Sequence, residues 1–260
     1  MTILDELSAH AKERVKESKK NKSLEDIKAE AYSLKKGGFE FEKALIKQGV
    51  SFICEVKKAS PSKGIIAEVF DPLSIAKEYE AAGADCISVL TEPKWFLGSN
   101  DYLKEIAATV SIPCIRKDFT VDPYMIYEAK ILGAKAVLLI VSILSADELK
   151  EYLGICEELG LSALVETHDE QEIETALSVG ARLIGVNNRN LKDFSVDTGN
   201  AGRLKSLVPD NVIFVSESGV RTREDIVTLE TAGIDAVLIG ETMMRAPDKR
   251  DKLNELKGSI

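Results

Sequence analysis

The residues of this chain best suited to chemistry are amines and carboxylates at the ends of apolar segments. The stretch "CEVKKASPSKG", residues 54–64, follows the apolar pair Phe52-Ile53 and therefore begins as a strand. Glu55 and Lys57 lie two residues apart, so both side chains share one face of that strand. An ammonium and a carboxylate held together there could transfer protons or stabilise charge that develops during a reaction.

Other apolar segments end in the same way. Lys117 lies in "IRKDF", Glu166 in "LVETH" and Glu217 in "SESGV". One interpretation is a buried layer of salt bridges, but such a layer is costly to desolvate and stabilises a fold weakly. If the segments meet at one edge of a sheet, five charged side chains cluster there, and we expect a functional site.

Four repeated segments suggest how these side chains are positioned. Each has a helix end, a glycine, a polar residue and an apolar run: "AGADCISVL", "LGAKAVLLI", "VGARLIGVN" and "AGIDAVLIG". The glycines are typical of the left-handed residue that ends a helix, and the apolar runs of strands buried on both faces. They recur at intervals of about 50 residues, which leaves room for a second helix and strand in each interval.

Counting the intervening segments gives eight strands, starting near residues 52, 86, 113, 136, 162, 183, 212 and 236. Amphipathic helices separate the strands, so the sequence predicts an α/β fold of the (β/α)8 TIM barrel type. A doubly wound open sheet is the alternative, but it would usually carry a G-x-G-x-x-G turn, which this sequence lacks. We expect one domain over 1–260. Residues 1–50 form its helical N-terminal extension, with helices at roughly 3–19, 23–34 and 39–48.

In such a barrel the carboxyl ends of the strands form the active face. The last two strands lead into "SESGVR" and "LIGETMMR", whose glycines precede helices. Backbone N–H groups at a helix start bind phosphate, so we expect a phosphorylated small-molecule ligand.

Composition limits the other partners. The formal net charge is −9 over 260 residues with both signs interspersed, so nucleic acid is not an expected partner. The N-terminus has no signal-peptide pattern and no apolar run is long enough to span a membrane, so a cytoplasmic location is the default. Oligomeric state is not readable, and a monomer is the default expectation.

Metal binding is not expected either. The chain has two histidines, far apart in sequence, and four cysteines with no C-x-x-C pair. We expect the cysteines to be small buried apolar residues. His168 follows a strand end and could line a site, but we favour the interpretation as a surface or loop histidine.

Taken in order, these motifs resemble those of the indole-3-glycerol phosphate synthase family. The resemblance rests on "EVKKASPSKG", "TEPKWFLGS", "IRKDF", "LVETH", "GVNNRNL", "SESGV" and "LIGETMMR", and runs from about residue 39 to 250. It implies a lyase of tryptophan biosynthesis that closes an indole ring with loss of carbon dioxide and water. It also implies that no cofactor is used.

The resemblance also implies roles for individual residues. Lys117 would be the general acid and Glu166 the general base, while Lys57 positions the substrate and could supply a proton. Glu55 would pair with one or both lysines and keep them charged, because an opposite charge nearby favours the ammonium. The sequence leaves open which lysine serves which step.

The remaining candidates would bind substrate. Asn187, Arg189 and Glu217 would position it, and the apolar ring would lie among aromatic side chains. The ring-flanking candidates are Trp95, Phe96 and Phe119, and the phosphate-site candidates are Ser60, Ser218, Gly219, Gly240 and Glu241. A Glu241 carboxylate would repel phosphate, so we expect only its N–H to contribute.

Three other interpretations stay open. Phosphoribosylanthranilate isomerase is a phosphate-binding barrel of the same pathway, but its motifs match less well. A Schiff-base aldolase would use Lys57 or Lys117 as a nucleophile. A barrel retained only as a binding scaffold would not need the full set of polar side chains.

Overall fold

Eight parallel strands close into a barrel in this computed structural model, which describes residues 2–190 and 194–259. The strands are β1 (Ser51–Val56), β2 (Cys86–Leu90), β3 (Cys114–Lys117), β4 (Ala136–Ile140), β5 (Ser162–Thr167), β6 (Leu183–Asn187), β7 (Ile213–Glu217) and β8 (Ala236–Ile239). Each pairs with the next in chain order, and β1 also pairs with β8, with Ser51 opposite Ala236, which closes the barrel. The predicted TIM barrel is confirmed.

Nine helices surround the barrel or follow its strands within the described residues. They are α4 (Pro72–Ala82), α5 (Asn100–Thr109), α6 (Pro123–Ile131), α7 (Ala146–Leu159), α8 (Glu170–Ser178), α9 (Asn200–Lys205), α10 (Arg223–Thr231), α11 (Glu241–Arg245) and α12 (Lys249–Lys257), with a short 3₁₀ helix at Val141–Ile143. The four repeated glycines all adopt left-handed conformations, with φ between 76° and 90°. They therefore end their helices as the sequence predicted, since glycine enters that region without steric cost.

Three further helices precede the first strand: α1 (Ile3–Asn21), α2 (Leu24–Ser33) and α3 (Glu40–Leu45). Thr2 and Asp5 form a capping box at the start of α1, which satisfies two backbone N–H groups. The third helix is shorter than the predicted 39–48, because Ile46 is extended and Gly49 is left-handed. These residues turn the chain into β1 instead of continuing the helix.

A buried ion pair fastens α1 to the barrel. The Arg14 guanidinium donates to both carboxylate oxygens of Asp118, at 2.6 and 3.1 Å, and the Thr91 hydroxyl donates to the same carboxylate at 2.6 Å. Burial opposes ionisation of Asp118, but the bond from Arg14 and its charge hold the Asp118 pKa below its usual value. The first helix is therefore held across the ends of β2 and β3.

Candidate active site

The carboxyl ends of the strands surround a cavity of about 340 Å³. Its lining includes nearly all of the candidate residues from the sequence. They are Glu55, Lys57, Ser60, Phe96, Lys117, Phe119, Glu166, Asn187, Arg189, Glu217, Ser218, Gly219, Gly240 and Glu241. Residues that are more than 180 positions apart in the chain therefore face one space, because each ends a strand or lies in the loop after it.

Lys117 occupies the centre of the polar part of this cavity. Its Nζ lies 3.3 Å from Glu166 Oε2 and 3.1 Å from Glu217 Oε2, and its side chain is 14% exposed. Burial alone would lower the Lys117 pKa, but the charges of Glu217, Glu166 and Glu55 raise it well above the usual value. The side chain is thus an ammonium at neutral pH and a strong hydrogen-bond donor.

Strand alternation explains why the Lys117 side chain meets the carboxylates in the cavity while its two charged neighbours bind partners elsewhere. Arg116 and Asp118 point to the opposite side of β3, as the sequence predicted. There Arg116 donates to the Met125 carbonyl at 2.9 Å and to Glu128 at 2.6 Å, and it is almost fully buried. These bonds anchor the strand to α6 and thereby fix the direction of the Lys117 side chain.

Glu166 faces Lys117 from β5. Its Oε1 accepts a hydrogen bond from Asn187 Nδ2 at 3.2 Å, while Oε2 faces the ammonium. Burial raises the Glu166 pKa, but Lys117 and then His168 lower it further than burial raises it, so the net shift is downward. The carboxylate is ionised and held by donors on both oxygens, which suits a group that accepts a proton.

Glu217 is the second carboxylate on Lys117, and its environment differs. Burial, together with repulsion from Glu166, raises the pKa of Glu217 to about 7 against the attraction of Lys117. Its Oε1 is buried without a hydrogen-bond partner among the described residues. A side chain at Gly185 would place its Cβ 2.3 Å from that oxygen, so β6 requires glycine there to make room for Glu217.

Glu55 and Lys57 form a separate pair at the end of β1. Lys57 Nζ lies 2.6 Å from Glu55 Oε1, and the Ser88 hydroxyl donates to Glu55 Oε2 at 3.3 Å. Burial opposes ionisation, but Lys57 and Lys117 lower the Glu55 pKa. A Cβ at Gly240 would lie 2.5 Å from Glu55 Oε1 and 2.7 Å from Lys57 Nζ, so Gly240 makes space for this pair.

The loops after β7 and β8 form a further part of the lining. Ser218 and Gly219 both have positive φ, at 68° and 95°, which curves the backbone around the cavity. The Thr242 hydroxyl donates to the Val220 carbonyl at 2.6 Å and ties the two loops together. Gly240 precedes α11 without any side-chain cap. The first N–H groups of α11 thus lie at the cavity without a side-chain acceptor.

The loop after β6 adds a further cation to the lining. The Arg189 guanidinium donates to the Phe194 carbonyl at 3.3 Å, and the Arg189 backbone N–H donates to Asn187 Oδ1 at 3.0 Å. These bonds hold Arg189 beside the carboxylates without an acidic partner of its own in the described structure. Leu191, the last residue of the "GVNNRNL" motif, lies outside the described residues.

Comparison with known proteins shows the family of the chain. A family model described as indole-3-glycerol phosphate synthase matches residues 4–256. The chain belongs to the indole-3-glycerol phosphate synthase family. Indole-3-glycerol phosphate synthase of Ruminiclostridium cellulolyticum is 56% identical over 258 residues, which cover 99% of each chain. The Leuconostoc mesenteroides enzyme of the same name is 52% identical and covers 98% of this chain and 99% of its own.

Solved structures of other proteins share the fold. A crystal structure of mandelate oxidase with benzoyl-formic acid aligns with a TM-score of 0.59 at 17% identity, over 72% of this chain and 68% of that one. At this identity the likeness concerns the barrel alone. The synthase family assignment therefore depends on the sequence matches.

Trp95 is the candidate that the structure does not bring to the cavity. Its backbone N–H donates to the buried Glu92 carboxylate at 2.7 Å, and its ring packs edge-on against His10 of α1, with centroids 5.3 Å apart. Glu92 thus fixes the loop after β2 so that Trp95 supports α1, while Phe96 enters the cavity. The rings of Phe96 and Phe119 lie 6.1 Å apart on its apolar side.

Sequence reasoning missed other lining residues. Ile3 and Leu7 of α1 reach the cavity, and so do Arg221 and Arg245 beside the last two loops. The arginines stand in the quoted motifs "SESGVR" and "LIGETMMR", so their type was a usable signal. Arg245 Nε lies 3.1 Å from Glu241 Oε1, which partly neutralises that carboxylate. That Glu241 turns its side chain away from a phosphate remains a prediction.

The expectation for His168 needs correction. The residue follows β5 in a loop, but its side chain is only 21% exposed and its ring lies beside Glu166. The reason is that Glu172 of α8 accepts bonds from both the His168 backbone N–H, at 2.8 Å, and Nδ1, at 3.1 Å. This double contact turns the ring inward.

Two absences complete the description. Across residues 2–190 and 194–259, no three His, Cys, Asp or Glu side chains are arranged to hold a metal ion. Over the same residues, no helix has the length and apolar character needed to cross a membrane.

Proposed function

We propose that this protein is an indole-3-glycerol phosphate synthase. It converts 1-(2-carboxyphenylamino)-1-deoxyribulose 5-phosphate to indole-3-glycerol phosphate, carbon dioxide and water. The chain belongs to a family of carboxy-lyases of tryptophan biosynthesis, and its named relatives match it over nearly their whole length.

One observation carries the proposal. A buried ammonium at Lys117 contacts the ionised carboxylate of Glu166 in a cavity that is also lined by the glycine loops after β7 and β8. A substrate with a phosphate at one end and a reactive carbonyl towards the other would be bound in a single orientation by such a cavity. Binding the phosphate away from the reacting carbon also supplies binding energy for orientation.

Ring closure requires the aryl ring to attack the ketone carbon, which places negative charge on the carbonyl oxygen. Lys117 is suited to donate a proton or hydrogen bond to that oxygen, since three carboxylates keep it protonated in a site largely shielded from water. The aryl ring would lie against Phe96 and Phe119 on the apolar side. Arg189 would hold the substrate carboxylate until it leaves as carbon dioxide, because its planar fork matches that group.

Dehydration completes the reaction. A hydroxyl leaves as water while a proton is removed from the intermediate, and Glu166 would accept that proton, since its lowered pKa leaves the carboxylate unprotonated at neutral pH. Lys57, paired with Glu55 in the cavity lining, would position the substrate and protonate the departing hydroxyl. Glu217 keeps Lys117 in place between the two carboxylates.

The phosphate would bind to the loops after β7 and β8. Gly219 and the amides that begin α11 supply N–H donors, and the two nearby arginines supply positive charge. Ser60 and Ser218 line the same region and could add hydroxyl donors.

A turnover assay tests the proposal. Purified protein is mixed with the amino-ribulose phosphate substrate, and the formation of indole-3-glycerol phosphate is followed by the fluorescence of its indole ring. We expect turnover by the wild type and a loss of about 10²-fold or more in kcat for Glu166→Gln, which keeps the shape but cannot accept the proton. Absence of turnover by correctly folded wild type would reject the function.

Sodium borohydride provides a second arm. A Schiff-base enzyme would be trapped as a covalent adduct with a ketose phosphate, whereas the proposed mechanism forms none. The raised pKa of Lys117 keeps its amine protonated at neutral pH, and only a neutral amine attacks a carbonyl. This favours the proposed mechanism over a Schiff base on Lys117. Intact-protein mass spectrometry distinguishes the two outcomes.

A further inference from the structure

A histidine and a glutamate lie directly behind the proposed base and outside the cavity. His168 follows Glu166 by two residues at the end of β5, so the two side chains project to the same side. His168 Nε2 lies 3.5 Å from Glu166 Oε1, and Nδ1 lies 3.1 Å from Glu172 Oε2. The order Glu172, His168, Glu166, Lys117 is therefore a line of alternating acidic and basic groups that ends in the cavity.

We propose that His168, oriented by Glu172, is a positioning residue that keeps Glu166 ionised and directed towards the substrate. This inference rests on the proposed function, since it assigns Glu166 the role of general base. His168 is absent from the cavity lining, so it would act through Glu166 rather than by touching substrate. No sequence motif considered above assigned it a role.

The His168 ring is held in one orientation. Glu172 accepts from Nδ1 and also from the His168 backbone N–H at 2.8 Å, and Asn200 Nδ2 donates to the His168 carbonyl at 3.1 Å. Nε2 is then left buried, with no hydrogen-bond partner among the described residues. Its nearest acidic neighbour is Glu166 Oε1, just beyond hydrogen-bond distance, so a small movement of either side chain completes the contact.

The charges around His168 favour its protonated form. Glu166 on β5, Glu172 on α8 and Glu217 on β7 all act on the ring, and Lys117 contacts the first of these carboxylates. Burial lowers the His168 pKa, but the Glu172 bond and these carboxylates raise it above the usual value. An imidazolium at this position in turn lowers the pKa of Glu166.

The first experiment needs no turnover. The chain has two histidines, so the His168 ring signal in a proton NMR titration is assigned by its loss in His168→Gln. We expect Glu172→Gln to lower the His168 titration midpoint by about 1 pH unit, because it removes the bonded charge. Glu170→Gln is the matched control, as it makes the same change on an exposed residue of the same helix turn and should leave the midpoint in place.

The second experiment is a pH profile of kcat. His168→Gln retains an N–H near the position of Nε2 but loses the charge. We therefore expect the acid limb of its profile to move up by about 1 pH unit, with kcat above that limb within a few fold of wild type. His168→Ala should show the same movement together with a loss of about 10-fold on the plateau, since it also removes orientation. KM should change little in both.

The outcomes separate the two proposals. A lowered His168 midpoint in Glu172→Gln and a displaced acid limb in His168→Gln support the positioning role. An unchanged acid limb in folded His168→Gln overturns it, even if thermal stability falls, because a merely structural histidine would alter stability without altering the limb. A wild type without turnover would instead reject the synthase function, and the NMR titration would then decide the coupling of His168 to Glu172 by itself.

Discussion

Glu217 offers a test of the site's electrostatics that does not require the reaction. Two buried carboxylates share the ammonium of Lys117, and only Glu217 has its pKa raised, to about 7. Glu217→Gln replaces this carboxyl by a neutral group of nearly the same shape, while the Lys117–Glu166 contact of 3.3 Å remains. The variant therefore isolates the cost of ionising the second carboxylate.

The size of that cost follows from the pKa. A rise from the ordinary value of 4.5 to about 7 corresponds to about 3 kcal/mol, since each pH unit is worth about 1.4 kcal/mol. Between these two values the native state binds more protons at Glu217 than the unfolded state does, so this residue makes stability fall as pH rises. Glutamine does not titrate, and the variant should not show that fall.

Urea unfolding at several pH values measures the effect. We expect the free energy of unfolding of Glu217→Gln, minus that of wild type, to increase by about 3 kcal/mol between about pH 4 and about pH 8. Taking the difference cancels the titration of groups that do not interact with Glu217. Exposed Glu170→Gln serves as the control, and its difference from wild type should remain nearly constant.

A pH-independent difference between Glu217→Gln and wild type would refute the reasoning. It would mean that Glu217 titrates alike in the folded and unfolded chains, so that the crowding of carboxylates around Lys117 is compensated by something else. If the free energy of unfolding of Glu217→Gln, minus that of wild type, fell as pH rose, the contradiction would be stronger. It would show that Glu217 is ionised more readily in the native protein than in the unfolded chain.

Two substitutions test the parts that shape the cavity. Gly240→Ala places a Cβ 2.5 Å from Glu55 Oε1 and should displace the Glu55–Lys57 pair. We expect kcat, measured by steady-state kinetics, to fall at least 10-fold. An unchanged kcat would contradict this crowding. Asp118→Asn leaves Arg14 partly buried without its charge partner and should cost about 3 kcal/mol in urea unfolding. Because α1 lines the cavity, we also expect a higher KM for Asp118→Asn, and a stability loss with unchanged KM would argue against that role.

The barrel and most of the site were predictable from sequence because they depend on short-range patterns. The glycine at each helix end, followed by an apolar run, identified strands such as β4, and period-two alternation assigned Lys117 to the inside and Arg116 to the outside. Once the strands are parallel and closed, their polar ends must converge. Lys117, Glu166 and Glu217 could therefore be grouped before any coordinates were available.

What the sequence could not provide depended on contacts between distant segments. Trp95 looks like a ring-binding aromatic in "TEPKWFLGS", but its position is decided by Glu92 and by the packing of His10 from α1. The inward turn of His168 depends in the same way on Glu172. The two carboxylates on Lys117 also differ, since the pKa of Glu166 is lowered and that of Glu217 is raised. This difference arises from burial and mutual repulsion, which no local sequence pattern encodes.

The most direct test of the account compares turnover and phosphate binding in Lys117→Met. Methionine fills similar space without charge, and Lys117 itself is not among the residues proposed to bind the phosphate. We expect kcat to fall about 10³-fold or more, while the affinity for inorganic phosphate, measured by calorimetry, stays within a few fold of wild type. Retention of substantial turnover by Lys117→Met would contradict the proposed role of its ammonium. Loss of phosphate binding in a folded variant would contradict the separation of the reacting end from the phosphate end.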